Sequence, residues 1–459
     1  MIGEDVCLSL LTRLLNESTA DQTELSLASE ELALTRFANS TIHQNLTVET
    51  VSVKVRAMVG RRKGEAVAND LQPDNVRAAF ERAVDTARRS TPSDYDYRFP
   101  EPVNPVPNVA TWDEQTAGCS PSHRADLVAA AIKAIQSRGV EAFGSLSTIA
   151  TERAVVNSSG LAVYAPFTEV HLVVTAMRDG AAGYASEDAR RLGALPIAER
   201  AIEAAERCRA ALNPRAIGPG IYDVVLLPYA VADLLAFMGP LFFSALAVME
   251  DRSYIAGRLG QYIGPDDLTI YDDGADPAGM PTPFDLEGVG KTRVDLIRRG
   301  VLNALVYDSA TAQRQGVANT GHAFPPNNNG LLPDPHPANL FMVPGSADLE
   351  DLIASTERGI LVTRLHYTRC VEPRAGVVSG ITREGTFLIE RGRVAYPIRN
   401  LRFVEAVIPA LSRIQLIGRE RRVQWRIAHG PATLSKGMGA ITVPAVKISG
   451  FRFTGATEF

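Results

Sequence analysis

The sequence predicts an α+β protein: an N-terminal α/β domain of strands and helices, residues 1–215, then a β-rich, barrel-like C-terminal domain, residues 220–459. Three observations carry this. Period-two and period-3.6 apolar runs alternate in the first half, whereas period-two runs dominate the second. "RAIGPG", Arg215–Gly220, separates them as a Gly/Pro-rich break after a helix. A length of 459 residues also favours two or three domains at about 150 residues each.

In the first half, Leu8, Leu11 and Leu14/Leu15 fall on one face of an opening helix. "TELSLASEELALTRFANSTIHQN" gives two extended runs around a turn at Asn39-Ser40. In "ETVSVKVRAMVG", Val51, Val53, Val55, Ala57 and Val59 alternate with polar residues, as in a half-buried strand. Pro73 precedes a helix whose inner face carries Val76, Phe80, Ala83/Val84 and Ala87, with basic residues in its last turn. Residues 91–118, rich in Pro, Asp and Tyr, read as a surface connection. Ser120-Pro121 opens a second helix that stops at Gly139. A strand meander with a hairpin turn at Asn157–Gly160 follows, then a third helix ended by Pro214.

In the second half, "IYDVVLLP" is a strand leading into "YAVADLLAFMG". The stretch "ADLLAFMGPLFFSALAVM" reads as a helix apolar nearly all round, which predicts cover on every side and an obligate-class interface in the C-terminal domain. Hairpins are expected at Arg299-Gly300 and Arg391-Gly392, and "ITVPAVKISGFRF" closes the chain as a strand. Neither an internal repeat nor a low-complexity segment is visible.

A net charge of −5 argues against a phosphate-neutralising surface, and the basic runs "GRRKG" and "GRERRVQWR" are short. No nucleic-acid partner is expected. Cys7, Cys119, Cys208 and Cys370 lie far apart without CxxC pairing, which suits a reducing compartment. The N-terminal residues lack the pattern of a signal peptide, and no run approaches the ~18 apolar residues of a membrane span. The expectation is a cytoplasmic protein with no membrane partner.

Candidate chemistry is sparse. None of the seven histidines forms HExxH or HExxxH. His366 and Cys370 are four apart in "RLHYTRCVEP", an extended context in which chelation is awkward. His322 lies in "VANTGHAFPPNNNG", a composition typical of surface loops that touch ligands. Asn319, Thr320, Gly321 and His322 are therefore the candidate substrate-binding residues: side-chain donors and acceptors beside a glycine that, with Gly330, permits close backbone approach. His336 and His429 are weaker candidates. There is no GxSxG, no SxxK and no phosphate loop. No catalytic residue and no metal ligand is assigned.

The segments "GRLGQYIGPDDLTIYDD", "TPFDLEGVGKTRVDLIRRGVLNALVYDSATAQRQG" and "NTGHA" resemble the TldD/PmbA family, the modulators of DNA gyrase. "TRFANSTIHQN" and "GTFLIERGRVAYPIRNLRF" extend the resemblance to nearly the whole chain. It implies a metallopeptidase family in which a TldD-like subunit carries zinc on an HExxxH helix, with a Cys from near the C-terminus. A PmbA (TldE)-like subunit lacks those ligands and pairs with it, and together they cleave small or unfolded peptides, including precursors of peptide natural products. Here the place of the metal helix reads Pro228, Tyr229, Ala230, Val231, Ala232, Asp233, and "HGPATLSKGMGAITVPAVKI" has no Cys. The resemblance thus implies a non-metal subunit without its own cofactor, zinc in an HExxxH partner, and a peptide substrate. Two other readings remain open: a homodimeric peptide-binding or scaffold protein, and a peptidase with unconventional ligands drawn from His322, His366, Cys370 and His429.

Overall fold

Alternation in the first half becomes six long strands. In the computed structural model, which describes residues 1–102, 104–324, 335–424 and 439–456, they are β1 (Gln22–Ala38), β2 (Thr41–Val59), β3 (Arg62–Ala68), β4 (Glu141–Asn157), β5 (Ala162–Arg178) and β6 (Ala181–Ala189). They form one sheet in the order β3-β2-β1-β4-β5-β6, with every neighbouring pair antiparallel. Helices cover one face. Leu25, Leu27, Val53 and Val55 pack under Glu4–Leu15 and Pro73–Arg89. Leu146, Leu172 and Val174 pack under Pro121–Gln136 and Ile197–Ala210. Ser120 caps the third of these helices by accepting from His123 N, as Ser-Pro predicts.

A repeat that the sequence does not display is present in the structure. Each half of this sheet is helix, three-strand meander, helix: Glu4–Leu15 with β1–β3 and Pro73–Arg89, then Pro121–Gln136 with β4–β6 and Ile197–Ala210. The last strand of each unit carries a glycine where the closing helix comes closest. A Cβ on Gly64 would stand 2.0 Å from the Ala83 carbonyl oxygen, and one on Gly183 2.2 Å from that of Ala204. Few positions need match for such packing, which is why the units share shape without visible sequence likeness. The connection 91–118 also departs from expectation. Tyr97 and Phe99 are buried with Met58, so this segment is partly a core strap.

The second half is built from β7 (Gly220–Leu226), β8 (Ile270–Asp272), β9 (Val294–Arg298), β10 (Val301–Leu302), β11 (Leu340–Met342), β12 (Arg358–Glu372), β13 (Val377–Glu390), β14 (Arg393–Pro397), β15 (Leu401–Ala406), β16 (Ile414–Gln424) and β17 (Ile441–Ala456). Pairing runs β17-β15-β13-β12-β7 and returns from β7 to β17, closing a five-stranded ring. This is the barrel-like element that the alternating sequence predicts. β14 pairs with β13, and the other strands extend from the ring through β17, which also pairs with β11 and β16. Arg299-Gly300 and Arg391-Gly392 turn with positive φ, as two-residue hairpins of the primed type require.

The long apolar helix is corrected. It is three pieces, an α-helix Pro228–Leu235, a π turn Gly239–Phe243 and a short helix Ala245–Met249, broken where Gly239-Pro240 interrupts the hydrogen-bond ladder. Val231, Leu234, Leu235, Phe242 and Phe243 belong to the core of the second half. The segment is covered by its own chain, so its hydrophobicity gives no argument for an interface. Residues 211–219 connect the two sheets, which share one core: Tyr229, Leu361 and Phe387 pack with Leu172 and Ala204.

Candidate functional site

"TPFDLEG", Thr282–Gly288, joins the two halves. Phe284 is buried among Val155, Leu161, Ala165 and Phe167 of the first. Glu287 Oε1 accepts from the Arg56 guanidinium at 3.2 Å and the Tyr97 hydroxyl at 3.2 Å, and Oε2 accepts from Ser309 N at 3.0 Å. Arg56 is also ion-paired with Glu24, its cross-strand neighbour. The Asp285 carboxyl accepts from Glu287 N, Val289 N and Ala323 N at 2.8–3.0 Å. Burial and the nearby Glu287 charge push Asp285 up to about 8. Burial also raises Glu287, but Arg56 and Ser309 outweigh it and hold it low, so the charge of this pair resides on Glu287.

Asp285 ties this joint to the predicted quartet. Asn319 and Thr320 are half-buried, while Gly321 and His322 are buried, His322 to 1% exposure. His322 Nε2 lies 2.8 Å from Asp272 Oδ1 and Nδ1 2.9 Å from Thr320 Oγ1. The Lys291 ammonium is 3.4 Å from the same Asp272 oxygen, and Asn339 N donates to the other at 2.6 Å. Burial alone would raise Asp272, yet Lys291 and His322 hold it far below the carboxylate range. Burial and Lys291 lower His322, leaving a neutral imidazole whose proton sits on Nε2, facing an oxygen that can only accept. The expectation of a surface loop is therefore corrected over Asn319–Phe324, because a buried carboxylate needs these donors. Gly321 (φ +72) does permit close backbone approach, but to Gly290, whose oxygen a Cβ would meet at 2.6 Å. Residues 325–334, Gly330 among them, lie outside the described residues.

The other candidates stay apart. His336 is buried against Gly239 and the Phe324 ring, where desolvation lowers it to about 4. His366 lies on β12 with Arg364 Nη2 3.0 Å from its Nδ1, and an irregular register separates it from Cys370. His429 lies outside the described residues. Among the described residues, no group of three or more His, Cys, Asp or Glu is placed to hold a metal ion. The helix Pro228–Leu235 is buried along its whole length. Its one acid, Asp233, accepts from Leu365 N at 3.0 Å, and the Tyr229 hydroxyl binds Glu203 and Arg422. These residues do not fit a zinc ion, which needs three or four converging imidazole, thiolate or carboxylate donors.

Sequence reasoning missed a second polar cluster. His171 donates to Asp188 at 2.6 Å and to Glu169 at 3.2 Å, and Arg190 bridges Glu169 (3.1 Å) to the Pro281 carbonyl (2.5 Å), just before the joint. Burial lowers His171, but the two carboxylates outweigh it and raise it to about 9. Its folded value lies above the unfolded value near 6.5, so its contribution is full below pH 6.5 and lost as pH rises through about 9. We expect the stability gap between the native chain and His171→Gln, on the order of 3 kcal/mol at pH 6, to close by pH 10. Paired urea titrations at the two pH values check this. Alternating strands do signal that one face is polar. They do not say that this face meets another half of the protein instead of water.

The joined sheets and the strand ring define a two-part fold whose second part has the architecture of a peptidase family. Residues 219–455 match the family described as PmbA/TldA metallopeptidase C-terminal domain, and the chain belongs to that family. It is 24% identical to the metalloprotease PmbA of Escherichia coli O157:H7, over 85% of this chain and 83% of that one. An uncharacterized protein of Methanocaldococcus jannaschii is 27% identical over 65% of this chain and 69% of its own length. The fold is also that of TldE from Thermococcus kodakarensis, with a TM-score of 0.86 at 22% identity over 97% of this chain and all (100%) of that one. Among the described residues no helix is long and apolar enough to cross a membrane.

Proposed function

We propose that this chain is the non-metal, TldE-like subunit of a two-subunit zinc peptidase acting on small or unfolded peptides, such as precursors of peptide natural products. Its role is to shape the substrate cleft beside a TldD-like partner that carries the HExxxH motif and the zinc. The observation that carries this reading is the helix Pro228–Leu235. Where the resemblance sets the metal helix, its only acid is spent on Leu365 N and its apolar side chains are spent on the core. In this reading Asn319 and Thr320 border the peptide path, and Gly321 and His322 fix that border from beneath.

The test uses the isolated chain, an HExxxH paralogue from the same source, and their mixture. The isolated chain should purify with far less than one zinc per chain and cleave no peptide. The mixture should co-purify and cleave unfolded peptides. One tightly held zinc per isolated chain, found by elemental analysis, would sink the proposal and promote the unconventional-ligand reading.

A further inference from the structure

Helix Ile197–Ala210 turns a charged face toward the seam between the two halves of the protein. Arg200, Glu203 and Arg207 stand at i, i+3 and i+7 along it, with side chains 15%, 16% and 18% exposed. The second half contributes Arg422 of β16 and Tyr229. Beside them β16 is tied to β6 by Ser186 Oγ, which donates to Gln424 at 2.8 Å. Glu203 is the hub. Arg200 Nη1 and Arg207 Nη2 each lie 2.5 Å from one of its oxygens, Arg422 Nη1 donates to both at 2.8 Å, and the Tyr229 hydroxyl donates at 3.2 Å. The guanidinium carbons of Arg207 and Arg422 each lie 5.4 Å from the Tyr229 ring centroid, so aromatic contact helps to hold both cations in place.

Three guanidiniums exceed the charge of one carboxylate, and the second acid, Glu187 of β6, is poorly held. It reaches Arg200 Nε at 3.4 Å without the geometry of a hydrogen bond, and burial pushes its carboxyl up. Arg200 Nε and Nη1 are both buried without a hydrogen-bond acceptor among the described residues. Buried charged donors left in this way mark the place of an ion or a water.

We propose that Arg200, Arg207 and Arg422 form a receptor for an oxyanion, a carboxylate or a phosphate group, and that Glu187 lies across its mouth and yields its place to the ligand. Glu187 meets the Nε edge of Arg200 with one oxygen. An oxyanion can meet that edge with two, the bidentate fit that arginine gives to carboxylate and phosphate. The Glu187 side chain is 22% exposed, so it has a route to water when it leaves. Glu203 stays: burial raises it, but the three guanidiniums outweigh this, keep it ionised and use it as the spacer between them. The proposal depends neither on the metal assignment nor on the peptide path.

Isothermal titration of the isolated full chain with inorganic phosphate, at constant ionic strength in chloride, should show one saturable site. Acetate is titrated alongside: tighter phosphate assigns the receptor to a phosphate-bearing ligand, and tighter acetate to a carboxylate. Arg200→Gln should raise the dissociation constant roughly tenfold. Arg200→Lys, which keeps the charge but lacks the Nε edge, should raise it as well. Glu187→Gln removes the competing carboxylate and should lower it about threefold, an improvement that misfolding cannot produce. Glu206→Gln, at an exposed acid of the same helix that pairs with Arg138 and Arg209, is the control and should change nothing. No saturable uptake of either ion overturns the proposal. So does binding that Arg200→Lys leaves as in the parent, or that Glu187→Gln fails to tighten.

Discussion

Replacing Glu287 by Ala should lower the stability of the chain by about 3 kcal/mol, the low end of the cost of breaking a buried ion pair, because Arg56 keeps its pairing with Glu24. Side-chain exposures of 12% for Arg56 and 7% for Glu287 leave little water to replace the lost partner. The change also strips the acceptor from the Tyr97 hydroxyl and from Ser309 N. Both sides of the joint would then carry unsatisfied donors, so the loss should appear as a lower urea midpoint for the whole molecule. Glu287→Gln, which keeps an acceptor but not the charge, should fall between. An Ala variant within 1 kcal/mol of the parent (about the net worth of one hydrogen bond) would show that this joint is solvated and not structural.

A valine at Gly183 should be as damaging, at about 3 kcal/mol, the upper end for overpacking. Its Cβ would meet backbone, the Ala204 carbonyl oxygen at 2.2 Å and Cys208 N at 2.3 Å, and backbone within a helix cannot swing away as a side-chain tip can. Gly64→Val in the first unit should behave alike, against the Ala83 oxygen at 2.0 Å. Gly193 is the control: a Cβ there has no neighbour within 4 Å, so Gly193→Ala should leave the thermal midpoint almost unchanged. Equal behaviour of Gly183→Val and Gly193→Ala would contradict the close helix–strand approach.

Local signals in the sequence were dependable because their causes are local. Ser120-Pro121 starts a helix, Arg299-Gly300 and Arg391-Gly392 turn hairpins, and "VSVKVRAMV" is a strand with one apolar face. What could not be read was the destination of each polar face. Arg56 and Glu24 look like solvent-facing members of an alternating strand, yet they are buried as a pair and Arg56 meets Glu287 more than two hundred residues on. His322 looked exposed because its neighbours are Gly, Pro and Asn. The buried charge that demands it, Asp272, stands fifty residues earlier. The quartet Asn319–His322 was legible as a place of interest, but its anchoring was not, since long-range polar pairing leaves no periodic trace.

The duplicated unit of the first sheet bears on how the chain acquires its shape. Within each unit, β1–β2 and β4–β5 are hairpins of consecutive segments whose closure costs little chain entropy. The seam between units is different: β1 meets β4 along nearly its full length, with Leu25 opposite Val156 and Thr35 opposite Leu146, across more than a hundred residues of intervening chain. Each unit has its own apolar patch under its own helices, and can collapse before the other is made. The expected order of events is therefore two early, independent nuclei and one slow zippering step between them. Until that step is finished, β1 and β4 are open edges, and the newly made chain is at its most prone to pair with the wrong neighbour.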